Sequence, residues 1–319
     1  MNASSSLEGA RANGIEPDGL RFEGMEWLAG ILEDSDARFL LFQDVNALLE
    51  EHGSVSPVWL SAHELSDTRL AIGAAVDLGD SGEGARIAMD VCKLSDGEGM
   101  TLPGMFQSLS NIQESVDPRT WRTLARARAL LAWNVRTARC PSCGATTASE
   151  KRGMVRVCTN PACKQPHFPR TDPTVIVRVV RGEMCLLARQ PRFRNGLRSV
   201  LAGFVEPGET LEEAVRREVA EEVSIEVERI EYLGSQPWPF PMNLMIAFEA
   251  HAREAVICID GDELEAADWY TREQVQHALA EGSLVLPSQK SIARWMIDDW
   301  LEDRPDTPRT TLERLAPSR

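Results

Sequence analysis

Short apolar runs punctuated by turn residues dominate the chain, and the hydrophobic period switches between two and about 3.6 at a few places. Over residues 21–118 the runs RFLLF, PVWLS, RLAIGAAVDL and ARIAMDV alternate with turn clusters, which predicts a small α+β domain. The glycine- and acid-rich DLGDSGEGA within it predicts a solvated hairpin tip. Residues 119–137 repeat Trp121, Leu124, Leu131 and Val135 at helical spacing and lead into a cysteine cluster. PTVIVRVV and EMCLLAR then flank Arg181-Gly182 as a predicted hairpin. LRSVLAG follows, then a helix over about 210–223, a strand IEVERIEYLGSQ, a proline-rich loop and a strand NLMIAFEAH. DWY, a helix REQVQHALAEG and a helix over about 288–300 close the pattern. Strands interspersed with few helices predict an α/β sandwich for this half. Residues 1–20 read as a flexible arm and 303–319 as a frayed tail.

The proline-rich loop, SQPWPFPMNLM, sets Trp238 and Phe240 between Pro237, Pro239 and Pro241. That spacing excludes a helix and a central strand, each of which needs the missing N–H donors. It leaves a stiff apolar loop, either a hairpin tip that fills a core gap or a pre-ordered wall for a ligand.

At 319 residues the chain is long enough for two or three domains. The first residues, MNASSSLEGARANG, lack a basic and an apolar segment, so no signal peptide is expected. No stretch of 18 apolar residues exists, so no membrane span is expected and a cytoplasmic location follows. Against a net charge of −15, residues 136–200 hold 13 basic and 3 acidic side chains. Such a band either steers an anionic substrate or neutralises the acidic remainder of the protein.

Seven cysteines argue against a disulfide framework. Cys185 and Cys258 sit in strand-like apolar runs and are expected in the core. Cys140-x2-Cys143 and Cys158-x4-Cys163, fourteen residues apart, have the spacing of a zinc ribbon, in which two knuckles offer four thiolates to one structural Zn2+. The second pair is wider than usual, so His167 competes with Cys163 as fourth ligand, and four reduced structural cysteines remain the bland reading.

The helix over 210–223 carries the reactive chemistry. Pro207-Gly208 and Thr210 mark its start, and Leu211, Ala214, Val215 and Val219 form its apolar stripe. Glu218 and Glu222 fall within about 20° of Leu211, inside that stripe, with Glu221 about 60° from Glu218. Three carboxylates so placed repel one another unless a cation sits among them, and hard divalent ions (Mg2+ or Mn2+) take such oxygen ligands alongside phosphates. A charged surface helix is the alternative.

Gly203, Glu209, Arg217, Glu218, Glu221 and Glu222 meet the pattern Gly-x5-Glu-x7-Arg-Glu-x-x-Glu-Glu, and here the chain resembles the Nudix hydrolases. Its one departure within the signature is Ser224, where the family has glycine, and an altered loop geometry is expected there. The preceding ribbon, LAGFVEPGE and SQPWPFPMNLM look like the NADH pyrophosphatase branch. The resemblance covers about residues 119–302 well. It implies a 119–170 helix plus zinc ribbon and a 171–302 Nudix α/β/α sandwich, and covers only weakly the 21–118 α+β domain read from the apolar runs. The activity implied is metal-dependent hydrolysis of NAD(H) to AMP and nicotinamide mononucleotide, with NAD-capped RNA 5′ ends as further substrates and a homodimer as the assembly. Glu218, Glu221 and Glu222 are the implied catalytic residues and, with the Ala202 carbonyl and Glu263, the Mg/Mn ligands. Ala266 stands where the family has a second glutamate, with Glu265 beside it. Implied substrate contacts are Phe168, Gln236, Pro237, Trp238, Pro239, Phe240, Pro241, Met242, Asn243 and Ala293. Hydrolysis of ADP-ribose or dinucleoside polyphosphates, and a non-catalytic nucleotide- or RNA-binding adaptor, are the competing functions.

Overall fold

The computed structural model describes residues 25–302, apart from residues 52, 67–69, 81, 83, 94–101 and 260, so the predicted arm and tail lie outside the described residues. The chain packs as two compact units. One holds the residues up to Arg170 together with Pro239–Met242, and the other holds Thr171–Trp238 and the residues from Asn243 on.

The first unit opens with α1 (Trp27–Leu32), β1 (Arg38–Gln43), β2 (Asn46–Glu51), β3 (Val55–Pro57), β4 (Trp59–Leu60), α2 (Ala62–Ser66), β5 (Leu70–Asp80), β6 (Ala85–Lys93), β7 (Met105–Gln107) and α3 (Leu109–Ile112). The strands form one seven-stranded sheet in the order β3-β2-β1-β6-β5, with β4 on β1 and β7 on β2. The Phe39–Phe42 run of β1 is apolar throughout because both faces of the strand are covered. Phe39 and Leu41 pack with Leu28 and Ile31 of α1. Leu40 and Phe42 pack under Trp121, Leu124 and Leu131 of α4 (Pro118–Arg136). Asp117 starts α4 by accepting the Arg119 and Thr120 N–H groups.

A three-stranded ribbon follows, built of β8 (Thr147–Glu150), β9 (Val155–Cys158) and β10 (Pro166–His167). Its first hairpin turns through Lys151, Arg152 and Gly153, all at positive φ. A Cβ on Gly153 would stand 2.4 Å from the Ala75 carbonyl oxygen of β5, so this turn docks the ribbon directly onto sheet backbone. Asn134, 1% exposed, fastens the joint: its Nδ2 donates to the Leu130 and Gly153 carbonyls at 3.0 and 2.9 Å.

The second unit is a six-stranded mixed sheet of β11 (Asp172–Arg181), β12 (Met184–Arg189), β13 (Leu201–Phe204), β14 (Val227–Trp238), β15 (Asn243–Ala252) and β16 (Ala266–Tyr270). Its order is β14-β15-β11-β12-β16 with β13 on β11. Alternate residues of β11 serve opposite faces. Val175, Val177 and Val179 meet α5 (Leu211–Val223), while Ile176 and Val180 meet α6 (Arg272–Glu281) and α7 (Ile292–Leu301). This is the expected α/β/α sandwich.

Three expectations are corrected. The strand before the proline-rich loop runs on to Trp238, with Pro237 opposite Leu244 and Trp238 opposite Asn243, and only Pro239–Met242 turn. Strand β14 tolerates Pro237 because it lies at the sheet edge, where a missing donor costs no ladder bond. The last helix begins at Ile292, not near 288, because the Ser291 hydroxyl caps it by accepting the Arg294 N–H. Cys258 is exposed in an irregular segment, since Ile257 and Ile259 on either side supply the buried contacts. Cys185 is fully buried on β12, as expected.

Gly153→Ala is expected to destabilise the protein by at least ~2 kcal/mol, because both the left-handed backbone and the Ala75 carbonyl reject a Cβ. Urea unfolding checks it, and an unchanged midpoint would show that the ribbon turn does not need this contact.

Candidate active site

The acidic helix α5 is held at both ends. Thr210 Oγ1 accepts the Glu213 N–H at 3.2 Å while Glu213 Oε2 accepts the Thr210 N–H at 2.7 Å, a reciprocal capping box. At the other end Ser224 adopts the left-handed conformation, φ 57° and ψ 35°, with its N–H on the Ala220 carbonyl. Serine takes the conformation that glycine adopts without strain, at a cost of about 1 kcal/mol.

Between these ends Glu218 and Glu222 are 7% and 2% exposed, inside the apolar sector that their spacing predicts, and Glu221 is exposed. The Glu218 carboxylate lies directly against Gly203 of β13. A Cβ at Gly203 would stand 1.8 Å from its Cδ and 1.9 and 2.0 Å from its two oxygens. Burial, opposed by Arg217 and reinforced by the charges of Glu221 and Glu263, raises the Glu218 pKa above the ordinary carboxylate range.

Arg217 is the cation among these acids. Its Nε and Nη2 grip Glu209 at 2.6 and 3.0 Å, Nη1 donates to Glu218 at 2.9 Å and to Glu221 at 3.0 Å, and Nη2 also donates to the Phe204 carbonyl at 2.8 Å. The bidentate grip lowers the Glu209 pKa.

Carboxylates are hard oxygen donors of the kind a divalent ion takes, but among the described residues only the four cysteines draw together closely enough to hold an ion. Ala202 lies on β13 opposite Ile176, and the charge of Glu263 is felt at Glu218. Glu265 takes no part, being paired with Arg189, and Ala266 begins β16.

The remaining residues of the second unit divide by role. Gln236, 8% exposed, spends its amide on α7, its Nε2 donating to the Lys290 carbonyl at 2.7 Å and its Oε1 accepting the Ile292 N–H at 2.8 Å. It therefore positions Ala293, 7% exposed in the first turn of α7. Asn243 opens β15 with a buried side-chain oxygen that accepts no hydrogen bond. Pro237 is exposed and Trp238 half-buried. In the first unit Phe168 is 62% exposed, Pro239 and Met242 are buried, and the Phe240-Pro241 peptide is cis. Phe240 packs on the α4 side of the core.

The cysteines converge. The Cys140, Cys143, Cys158 and Cys163 sulfurs all lie within 4.8 Å of one another, at 3.8 Å for Cys140–Cys163 and 3.4 Å for Cys143–Cys158. A zinc tetrathiolate with bonds of about 2.3 Å has edges of about 3.8 Å, so these residues fit the ion. Cys163, not His167, completes the set. The Ala145 N–H, then the Cys158 sulfur, holds Cys143 down at about 7, while burial pushes Cys158 up to about 12. Sequence reasoning missed the ribbon's other polar anchor, Arg156, which is 8% exposed on β9. Its alternation with Val155 and Val157 gave no warning.

A family model described as NUDIX domain matches residues 170–290. The chain is 36% identical over 275 residues to the NAD-capped RNA hydrolase NudC of Pseudomonas aeruginosa (strain LESB58), which spans 86% of this chain and 89% of that protein. It is 42% identical over 194 residues to the NAD-capped RNA hydrolase NUDT12 of Homo sapiens, spanning 57% of this chain and 42% of that one, so the chain covers about two-fifths of that relative's length. A NUDIX hydrolase structure from Nitrosomonas europaea superposes at a TM-score of 0.43 with 19% identity, over 52% of this chain and 91% of that chain. So loose a superposition bears on nothing further.

Gly203→Ala is expected to push the Glu218 carboxylate aside and lower turnover by at least ~100-fold with the fold retained, read by product formation beside a thermal melt. Wild-type turnover would mean that Glu218 works from another position. Cys158→Ser is expected to remove about one zinc per chain and lower the melting temperature, read by metal analysis of the purified protein. Full zinc content in that variant would rule out the four-sulfur site.

Proposed function

The chain belongs to the Nudix hydrolases, and on that premise we propose that it hydrolyses the pyrophosphate bond of NAD(H), releasing AMP and nicotinamide mononucleotide, and removes NAD caps from RNA by the same chemistry. The relatives named as NAD-capped RNA hydrolases favour this substrate class. The observation that carries the reading is the Glu218 carboxylate packed on Gly203 with Glu222 buried beside it, a costly arrangement that a surface helix has no reason to keep.

Glu218, Glu221, Glu222, Glu263 and the Ala202 carbonyl would hold the divalent ions, Mg2+ or Mn2+. When bound, the ions neutralise phosphate oxygens and make water a better nucleophile. The chain's own residues do the rest. Arg217 holds Glu218 and Glu221 in register and Glu209 fixes Arg217, so the acids stand preorganised. A water oxygen attacks one phosphorus in line, and the bridging P–O bond breaks. The bridging oxygen leaves with the other phosphate, and a glutamate takes the water proton. In this reading Asn243 contributes a polar contact to the substrate, with both donor and acceptor capacity. Zn2+ in the ribbon is structural, because four protein sulfurs leave no open position. A cytoplasmic setting, which keeps such thiols reduced, and a homodimeric assembly belong to this reading.

Product analysis with NADH, NAD+, ADP-ribose and NAD-capped RNA, with and without Mg2+ or Mn2+, tests it. AMP and nicotinamide mononucleotide from NADH, lost by at least ~100-fold in Glu222→Gln, is the expected result. Turnover of ADP-ribose alone would transfer the chain to another substrate, and full activity in Glu222→Gln would remove the acidic helix from the mechanism.

A further inference from the structure

Residues 189–198, which lead from the end of β12 towards β13, hold four arginines and no acid. Two of the four fasten the loop. Arg189 pairs with Glu265 through Nε, and its Nη1 and Nη2 donate to the Arg194 and Phe193 carbonyls at 2.5 and 2.9 Å. Arg198 pairs with Asp268 at 2.8 Å and lies 5.5 Å from the centroid of the Tyr270 ring. Backbone bonds complete the frame. Ala188 and Ser199 exchange N–H···O bonds at 2.8 and 2.9 Å across the base of the loop, and Val285 accepts the Arg198 N–H at 3.0 Å while donating to the Gly196 carbonyl at 2.8 Å. The other two arginines, Arg192 and Arg194, are exposed, and neither has a carboxylate partner among the described residues. Arg192 commits only its Nε, to Gln190 Oε1 at 2.7 Å.

Two guanidiniums this close along the chain repel one another, and a protein of net charge −15 has acids in plenty to relieve that. Here a loop held by two arginines offers two more to solvent, so part of the ordering cost of binding an anion is already met. A single exposed ion pair is worth little in water. A polyanion gains more, because each phosphate neutralised releases counterions. The loop is also tied to the acidic site of its own unit. It runs on into β13, where Gly203 meets Glu218, and the Arg189 carbonyl accepts the N–H of Glu265, two residues beyond Glu263, at 3.0 Å. An anionic polymer that approaches those carboxylates needs fixed cations beside them.

We propose that Arg192 and Arg194 form a contact site for the sugar–phosphate backbone of single-stranded RNA, each guanidinium donating to a phosphate outside the bond that is hydrolysed. That this RNA is a capped substrate rests on the function proposed above, whereas the binding of the chain does not. NADH has no phosphate beyond its pyrophosphate and does not use the site.

The test measures binding of an uncapped single-stranded RNA oligonucleotide to the full chain at several salt concentrations, with Arg192→Gln/Arg194→Gln beside the wild type. In the double variant the dissociation constant is expected to rise by about tenfold, and the slope of log K against log salt to shrink by about 1.4, the share of two single-strand phosphates. Arg192→Lys/Arg194→Lys is expected to keep most of the affinity, because an ammonium also binds phosphate. KM is expected to rise by about tenfold for NAD-capped RNA and to stay unchanged for NADH. Wild-type affinity and slope in the Gln variant overturn the inference, as does a wild type that binds no RNA. A KM rise for NADH as large as that for capped RNA overturns it too, giving the arginines to the pyrophosphate. Preference of the wild type for poly-glutamate over RNA does the same, giving the loop to an acidic protein. Should the double variant not fold, the single Gln variants decide: each is expected to shrink the slope by about 0.7, and an unchanged slope in both overturns the inference. Loss of RNA binding in the Gln variant of a protein that hydrolyses neither NADH nor capped RNA upholds the site and removes the proposed function.

Discussion

The second unit is organised around carboxylates kept where carboxylates are costly. Glu218 and Glu222 sit in the same angular sector as Ala214, Val215 and Val219, so the helix cannot bury its apolar stripe without burying acid. The arrangement is held by one guanidinium. Arg217 reaches Glu209, Glu218 and Glu221 together and anchors itself on the Phe204 carbonyl, which joins the helix to the strand that carries Gly203. Glycine at 203 follows from this geometry, because the space a Cβ would fill holds the Glu218 carboxylate. Even the strained Ser224 fits the same constraint. A helix clamped by its side chains stops where the clamp ends, and the left-handed exit is adopted although serine disfavours it.

The first unit solves a different problem with similar means. A three-stranded ribbon is too small to bury a core of its own and depends on the surface it docks on, with its four convergent cysteines fit to hold an ion. That docking is polar and close. The left-handed turn through Lys151–Gly153 brings backbone against backbone, and Asn134 and Arg156 fill the joint with hydrogen bonds that leave few polar groups unanswered.

Much of this was legible in the sequence wherever a periodic pattern met a chemically odd residue. The acidic helix, its Thr210 cap, the Arg181-Gly182 hairpin and the four-cysteine set all announce themselves, because spacing alone puts the side chains together. What spacing could not reveal depends on distant strands. Whether Pro237 interrupts a strand turns on whether that strand is central or at an edge, and strand order is a tertiary fact. Cys258 looks like core until Ile257 and Ile259 take the inward positions. Arg156 alternates inconspicuously, and its partners Asn134 and Thr147 come from other elements.

Gln236 shows why residue identity alone assigns roles poorly. A polar side chain in an apolar, proline-rich stretch invites reading as a ligand contact, yet its amide closes on Lys290 and Ile292. Both are backbone groups at the start of the last helix, where an unpaired N–H is the rule unless something caps it. Gln236 is that cap, supplied from an edge strand more than fifty residues earlier in the chain. Pro237 then follows naturally: having no N–H, it lets the strand run on at the sheet edge without offering a donor to a neighbouring chain. Neighbouring residues of one motif thus divide between holding the scaffold and facing a ligand. Asn243 differs from Gln236 in that its buried side-chain oxygen has no hydrogen-bond partner among the described residues.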